Sequence, residues 1–422
     1  KHSFMISFEL EYQQPKLWPI GFSQFITPEL TYLRSIPVLP VVGYQTYFEL
    51  SDPELRKAHK LPVIKPILPS LLNKAEYQQD LAYEWASMET VISTEQGQYA
   101  LAQGELTDQY EQHEQYNTTL NSDNVNTVRP TFVYKTLAPI RAISAWLSFP
   151  ENHLQTFQSD SGIAINLVAP NDENVTPGER RKQSINMNVK AINDTLSWFA
   201  ANIAPYNGST LSLISIPELG ATGYALPHIM FIADRVGFRA QPKQDAPFDQ
   251  RYRRAVHETA HQWFGHSIGN SSLDNSHHSD SAFLIESMAK YMELVLIEKH
   301  RGKAEMQGLV EYEYERFMQA ERSNINTPKS LIDATESHHS YSRATLAFAV
   351  LRAELGDEVI INALKQLWKD HSYPSKPALA LDFVALLKQH SSINKHELIN
   401  NVLLSTDLAS INWEVIGPLT EN

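Results

Sequence analysis

The chain has no cysteine among its 422 residues, which excludes disulfide bonds, thiolate metal sites and a cysteine nucleophile. Basic residues are also few, because 35 lysines and arginines face 48 acids and leave a net charge of −13. Nucleic acid is therefore not an expected partner, since phosphate binding needs a basic face. No uninterrupted apolar run reaches the roughly 20 residues that a membrane-spanning helix requires. The 16 histidines are the obvious metal ligands that remain.

The first residue is Lys1, and no apolar signal segment follows it. We therefore expect a soluble piece of a longer protein. Hydrophobic residues make up 42% of the chain, which is enough to bury a core and excludes a disordered tail.

The order of hydrophobic patterns predicts an α+β protein with segregated domains. Alternating apolar residues over 4–12 indicate a half-buried strand, and strand-like segments continue to about residue 150. Short apolar strands at 162–168 and 210–216 flank a long helix at about 178–203, and helical patterns fill the chain beyond about 250. We predict an N-terminal β-sheet domain, a mixed catalytic domain and a C-terminal helical domain. Their bounds are 1–149, 150–301 and 302–422.

The sharpest local signal is the sequence His257-Glu258-Thr259-Ala260-His261. Four residues are about one helical turn, so both imidazoles project from the same face and can hold one metal ion. Glu258 lies beside them, where it can take a proton from a water molecule that the metal activates. The motif predicts a Zn²⁺ site with His257 and His261 as ligands and Glu258 as the catalytic base. The alternative is a charged helix in which the histidines are only structural.

Two carboxylates compete to be the third ligand. Asp280 lies in a polar run that is typical of a loop or a helix N-cap, whereas Glu286 lies in a strongly helical stretch. We favour Glu286, because a helix can hold a carboxylate in a fixed position. A surface pair between Glu286 and Lys290 is the structural alternative. Loop histidines offer further choices, namely His266, His277 and His278.

The segment HETAHQWFGH, followed by FLIESMAKYMELV, resembles the zinc aminopeptidases related to aminopeptidase N and leukotriene hydrolase. The resemblance implies a thermolysin-like catalytic domain, a bound Zn²⁺ and Glu286 as the third ligand. The loop between the two segments is longer here than in that family. The implied reaction is hydrolysis of peptide bonds at peptide N-termini.

The segment SYSRATLAFAVLRAELGDE resembles the part of these enzymes that carries a catalytic tyrosine. Tyr341 takes the place of the tyrosine, whose hydroxyl hydrogen-bonds to the oxyanion, and Arg343 takes the place of the family's lysine. A phenol is chemically suited to this role. A core tyrosine at the start of a helix is the alternative.

The segment IPELGATGYALPHIMF corresponds to the family's G-A-M-E-N sequence, which runs along the substrate and whose glutamate binds the free α-amine. Gly220 and Ala221 match its first two positions and are candidate substrate-binding residues. Gly223 stands where the glutamate is expected, so the amine-binding group is missing. Glu218 or His228 could replace it, and an ordinary glycine-rich turn is an equal alternative.

Much of the chain, from about residue 43 to 390, resembles a bacterial subgroup of this family. In that subgroup the peptidase-like domain is fused to the membrane segments of ABC transporter permeases. Segments that carry the resemblance include VVGYQTYFELSDPELRKAHKLP and VISTEQGQYALAQGEL. This implies a covalent link to membrane segments outside this chain and a location on the extracytoplasmic (periplasmic) side. It also raises an alternative function. The chain could be a zinc-bound, weakly active or inactive domain that binds peptides and regulates a transporter.

Overall fold

The structure is a computed structural model, and it describes most of the chain. The described residues are 5–11, 24–35, 50, 52–63, 85–117, 124–170, 178–217, 222–242, 246–268, 282–322, 328–334, 336–375 and 378–417. Several predicted positions lie outside these residues, namely Glu218, Gly220, Ala221, His277, His278 and Asp280.

Strands dominate the described chain up to residue 168, as the sequence predicts. The strands before residue 151 are β1 Gln24–Ile26, β2 Thr31–Arg34, β3 Trp85–Ala86, β4 Glu89–Ser93, β5 Gln98–Leu101, β6 Glu105–Asn117, β7 Asn124–Lys135, β8 Ile140–Arg141 and β9 Ala145–Pro150. They form antiparallel sheets of order β1-β2-β9-β5, β4-β7-β6 and β3-β8. In β9 burial alternates along the strand, with Ala145, Leu147 and Phe149 pointing into the core.

The predicted strand at 4–12 is wrong over the part that the structure describes. Residues 5–11 have no regular secondary structure, and the side chains of Ile6, Phe8 and Leu10 are exposed. Apolar alternation stabilises a strand only where a neighbouring strand and a core cover it.

A central sheet follows, built from β10 Leu154–Gln158, β11 Ala164–Val168, β12 Thr210–Ile216, β13 Gly223–Leu226 and β14 Ile229–Ala233. Its order is β10-β11-β12-β14-β13. The inner strands β11, β12 and β14 are parallel, and the two edge strands are antiparallel to them. Both faces of the inner strands are covered, so β12 is buried along almost its whole length and β14 along all of it.

Helices fill the chain after the sheet, which confirms the predicted helical C-terminal part. In chain order, α1 Pro53–Ala58 precedes the sheet and α2 Gly178–Asn202 lies between β11 and β12. The helices after the sheet are α3 Asp234–Gly237, α4 Gln250–Ala260, α5 Met288–Arg301, α6 Lys303–Glu321, α7 Ala344–Leu355, α8 Asp357–His371, α9 Ala380–His390 and α10 His396–Leu403. Two π-helical segments precede α5 and α7, π1 at Phe283–Ser287 and π2 at His338–Arg343. Among the described residues, no helix is both long and apolar enough to cross a bilayer.

The two faces of the central sheet pack against different partners. One face contributes Leu213 and Met230 to a core shared with α2, α4 and the later helices. In that core the ring of Phe199 stacks on Trp263, with centroids 3.9 Å apart. The other face, which includes Phe231, packs against Tyr32 and its neighbours in the N-terminal strands. The H-E-x-x-H motif lies at the end of α4, with His261 just after its last residue, and α4 contacts the edge strand β13.

Candidate metal centre

His257, His261 and Glu286 converge at the end of α4. The Nε2 atom of His257 lies 3.0 Å from Glu286 Oε2, and the Nε2 atom of His261 lies 3.7 Å from the same oxygen. One donor atom from each residue lies within 4.8 Å of the other two. Two imidazole nitrogens and a carboxylate oxygen at this spacing fit a tetrahedral ion such as Zn²⁺.

Segment π1 positions Glu286. Its neighbours Phe283 and Leu284 are buried in the core, whereas Glu286 points toward the two histidines. A π turn changes the direction of the side chains relative to the α-helix that follows, and such turns are frequent at functional sites. One short segment can therefore contribute to both the core and the metal centre.

The electrostatics of the trio suit a cation. Burial raises the pKa of Glu286, but His261 and His257 more than offset it and lower this pKa to about 2, so the carboxylate is ionised at neutral pH. Burial lowers the pKa of His261 to about 4, which leaves its imidazole neutral. Burial opposes protonation of His257, but hydrogen bonds to Glu286 and Glu293 raise its pKa to about 9. A bound metal ion would take the place of that proton.

Glu293, which the sequence analysis did not identify, orients His257 through Nδ1, the ring nitrogen that does not face Glu286. Its Oε1 lies 2.9 Å from His257 Nδ1, as expected of a carboxylate that fixes the tautomer of a ligating histidine. Glu293 lies seven residues after Glu286, about two helical turns, and this spacing is the signal that could have identified it.

A buried ionic network surrounds Glu293. Lys290 has no exposed side-chain surface and pairs with both Glu293 and Glu313. Arg253 pairs with the same two carboxylates. The alternative of a surface pair between Glu286 and Lys290 is therefore wrong, because the ammonium group turns inward to these acids.

Glu258 is buried beside the trio, and its Oε2 atom has no hydrogen-bond partner. Burial raises the pKa of its carboxyl group to about 8. It lines a cavity of about 200 Å³ together with all three candidate ligands. A carboxylate with a pKa near neutrality at such a place is suited to accept and return a proton.

Tyr341 lies on π2, and its ring stacks on that of His257 with centroids 5.7 Å apart. Burial and the nearby Glu286 carboxylate raise the pKa of its hydroxyl group, so the hydroxyl group stays protonated and can donate a hydrogen bond. Tyr341 also lines the cavity of about 200 Å³, whereas a tyrosine packed only in the core would not. Arg343 is buried away from this cavity and donates to the carbonyl oxygens of Lys329, at 2.8 Å, and Ser405, at 3.2 Å.

Gly223 begins the edge strand β13 and lies directly against Glu258. A Cβ atom at this position would collide with Glu258 Oε1, so no side chain fits there without displacing the carboxylate. The described walls of the cavity also include two basic residues, Arg34 and Arg141. His228 lines another cavity, of about 330 Å³, whose lining includes none of the three candidate ligands.

A third cavity, of about 450 Å³, adjoins the first. It shares Gly223, His257, Glu258 and Tyr341 with the cavity of about 200 Å³. The two therefore form one cleft at the candidate metal centre.

The fold of this chain is similar to folds of solved structures. A crystal structure of an M1 zinc metallopeptidase from Deinococcus radiodurans matches with a TM-score of 0.54 and 18% identity, covering 80% of this chain and 66% of that one. A mutant of that enzyme bound to a Tyr-Ser-Ala substrate matches with a TM-score of 0.52, 18% identity and the same coverage. The chain thus spans less than two thirds of these proteins, and at this identity the likeness shows the fold.

No curated protein matches the chain. The family model described as the peptidase family M1 domain matches residues 183–404, which is more than half of the chain and includes the whole candidate metal centre. The chain therefore belongs to peptidase family M1.

Proposed function

We propose that this chain is a zinc-dependent aminopeptidase, which hydrolyses peptide bonds at peptide N-termini. His257, His261 and Glu286 would hold the Zn²⁺. The observation that carries the proposal is the placement of Glu258 and Tyr341 in the same cleft as three converging metal donors. The similar solved structures, which are named as zinc metallopeptidases, support it.

Different residues of the cleft can perform different steps of peptide hydrolysis. When bound, Zn²⁺ would polarise the scissile carbonyl group and make a water molecule more acidic. Glu258, which lines the cleft beside the trio, takes the proton of the attacking water and returns it to the leaving amine. The hydroxyl group of Tyr341 donates a hydrogen bond to the carbonyl oxygen as negative charge develops there.

Replacing Glu258 by glutamine tests this mechanism. The E258Q variant keeps the shape of the side chain but cannot accept the proton, so we expect kcat to fall by about 10²–10⁴-fold with the zinc content unchanged. The exposed Glu397, changed to glutamine, is the matched control and keeps full activity. Wild-type turnover by E258Q would refute the role of Glu258.

Cleavage at a free N-terminus is the finer part of the proposal. Gly220 and Ala221 would contact the substrate backbone just before β13, an edge strand along which an extended peptide can pair. Gly223 and the two arginines of the cleft wall, Arg34 and Arg141, favour a second candidate specificity. In this case the N-terminal end of the substrate carries a blocked or negatively charged group.

Matched peptides separate these specificities. Each peptide is offered with a free α-amine, with an acetylated amine, and with an acidic first residue. Preference for the free amine supports an aminopeptidase. Preference for the acetylated or acidic forms supports a cleft that selects against a positive end.

The second candidate function is a zinc-bound, weakly active or inactive peptide-binding domain of an ABC-type transporter, on the extracytoplasmic side of a bacterial membrane. Gly223 in place of the amine-binding glutamate favours it. Full zinc occupancy with peptide binding but without turnover would support this candidate, and recovery of the full-length protein in the membrane fraction would support the link to membrane segments.

A further inference from the structure

A second cluster of metal-binding side chains lies outside the catalytic cleft. It consists of Glu321, at the end of α6, and of His338 and His339, at the start of π2. The Oε1 atom of Glu321 lies 3.0 Å from His338 Nε2 and 3.6 Å from His339 Nε2. The corresponding distances in the catalytic trio are 3.0 and 3.7 Å. The two clusters thus share both their donor types and their spacing.

This spacing suits a tetrahedral ion. With metal–ligand bonds of about 2.0–2.1 Å, the donor atoms of a tetrahedral zinc site lie about 3.3–3.4 Å apart. The two measured distances to Glu321 lie on either side of that value, and one donor atom from each of the three residues lies within 4.8 Å of the others.

A simple ion pair does not account for the second imidazole. The Nε2 atoms of both histidines face one oxygen of Glu321, and the ring of His339 lies 4.2 Å from that of His338. His339 is buried, its Nδ1 atom has no hydrogen-bond partner, and burial, aided by His338 and Arg343, lowers its pKa to about 4. It is therefore neutral, which is the form that binds metals.

The surroundings resemble those of a built site. Phe317 packs beside both imidazoles, with centroid distances of 6.4 and 5.9 Å, and gives the cluster an apolar wall. Glu321 and His338 remain partly exposed, which leaves a path for an ion from solvent.

We propose that Glu321, His338 and His339 bind a second divalent transition-metal ion, such as Zn²⁺, separate from the catalytic ion. The ion would join the end of α6 to π2, the segment that carries Tyr341. This site does not depend on the proposed function, because it needs no substrate and no turnover.

Counting metal ions tests the proposal. The full chain is stripped of metal, titrated with Zn²⁺, freed of excess ion and measured by mass spectrometry. We expect two ions per chain in the wild type and in the control H113Q, which changes an exposed histidine. We expect one ion in H338Q and in H339Q. One ion in the wild type, or two ions in both variants, would overturn the proposal.

A second measurement guards against variants that bind less metal because they are misfolded. In H261Q, which weakens the catalytic site, added Zn²⁺ should still raise the melting temperature, and the double variant H261Q/E321Q should lose this response. Circular dichroism of the metal-free proteins shows whether each is folded. A response of equal size in the folded double variant would assign the stabilisation to another site and overturn the proposal.

Discussion

Glu258 combines two properties that are unfavourable for stability, a buried carboxyl group and an oxygen without a hydrogen-bond partner. An unsatisfied buried polar atom costs about 1–3 kcal/mol, so an arrangement of this kind calls for a functional explanation. The H-E-x-x-H spacing predicts that Glu258 lies near two imidazoles. It cannot predict that Gly223, from a strand before α4, forms the facing wall.

Changing Gly223 to alanine should impair catalysis more than stability. The added methyl group collides with Glu258 Oε1 and displaces the carboxylate, and a shift of about 1 Å at a catalytic group can cost about 100-fold in rate. We expect kcat to fall by about that factor, while zinc content and the urea midpoint stay close to those of the wild type. Unchanged kcat in G223A would show that the carboxylate can move without consequence.

Changing Glu293 to glutamine should weaken metal binding. Glutamine preserves the shape of the side chain but removes the charge that orients His257 through Nδ1, and changes of this type reduce metal affinity by about 10–100-fold. Competition with a chelator measures the affinity of the catalytic site. E397Q serves as the control, and equal affinities in the two variants would argue against a supporting role for Glu293.

The helices that carry the site could be predicted from the sequence, but the π segments could not. The phrase FLIES in π1 has the composition of an ordinary amphipathic helix, and only its neighbours determine the wider turn. The helical pattern beyond about 250 also fails to show that α4 ends at Ala260 and that turns follow it. Periodicity reports which face is buried, whereas the type of turn depends on tertiary contacts.

Arg343 offers a test of how π2 is held. Its guanidinium group donates to the carbonyl oxygens of Lys329 and Ser405, which lie on different segments of the helical part. Lysine cannot make both contacts in the same geometry, so R343K should lower the free energy of unfolding by about 1–3 kcal/mol. Urea unfolding measures this loss, and K395R, at a partly exposed position on the same part of the chain, is the control. Equal stability of R343K and wild type would show that these hydrogen bonds are dispensable.

At the scale of the whole molecule, buried carboxylates make stability depend on pH. Burial raises the pKa of Glu313, but Lys290 and Arg253 more than offset it, so the pKa lies below its usual value. Burial likewise raises the pKa of Asp249, but Arg251 more than offsets it, so this pKa also lies below its usual value. The unfolded chain then binds protons more readily than the folded chain in acid. The stability that these groups contribute is present above their unfolded pKa values and is lost as the pH falls through the folded values.

We therefore expect the free energy of unfolding to fall as the pH is lowered from about 5.5 to 3.5. Urea titrations at the two pH values measure the difference. The difference should be smaller in E313Q, which has lost one titrating group, and unchanged in E397Q. An identical pH dependence in E313Q and wild type would contradict the role of Glu313.

The position of the N-terminal strands has a consequence for how the protein can be divided. The hydroxyl group of Tyr32 hydrogen-bonds to that of Tyr224 on β13, at 2.5 Å, and Tyr32 also packs on Phe231 of the central sheet. A fragment that begins at residue 150 would leave this apolar face uncovered, and such a face promotes aggregation. It would also lose Arg34 and Arg141 from the cleft. A fragment that keeps the central sheet covered and the cleft complete must therefore contain both the N-terminal strands and the central sheet.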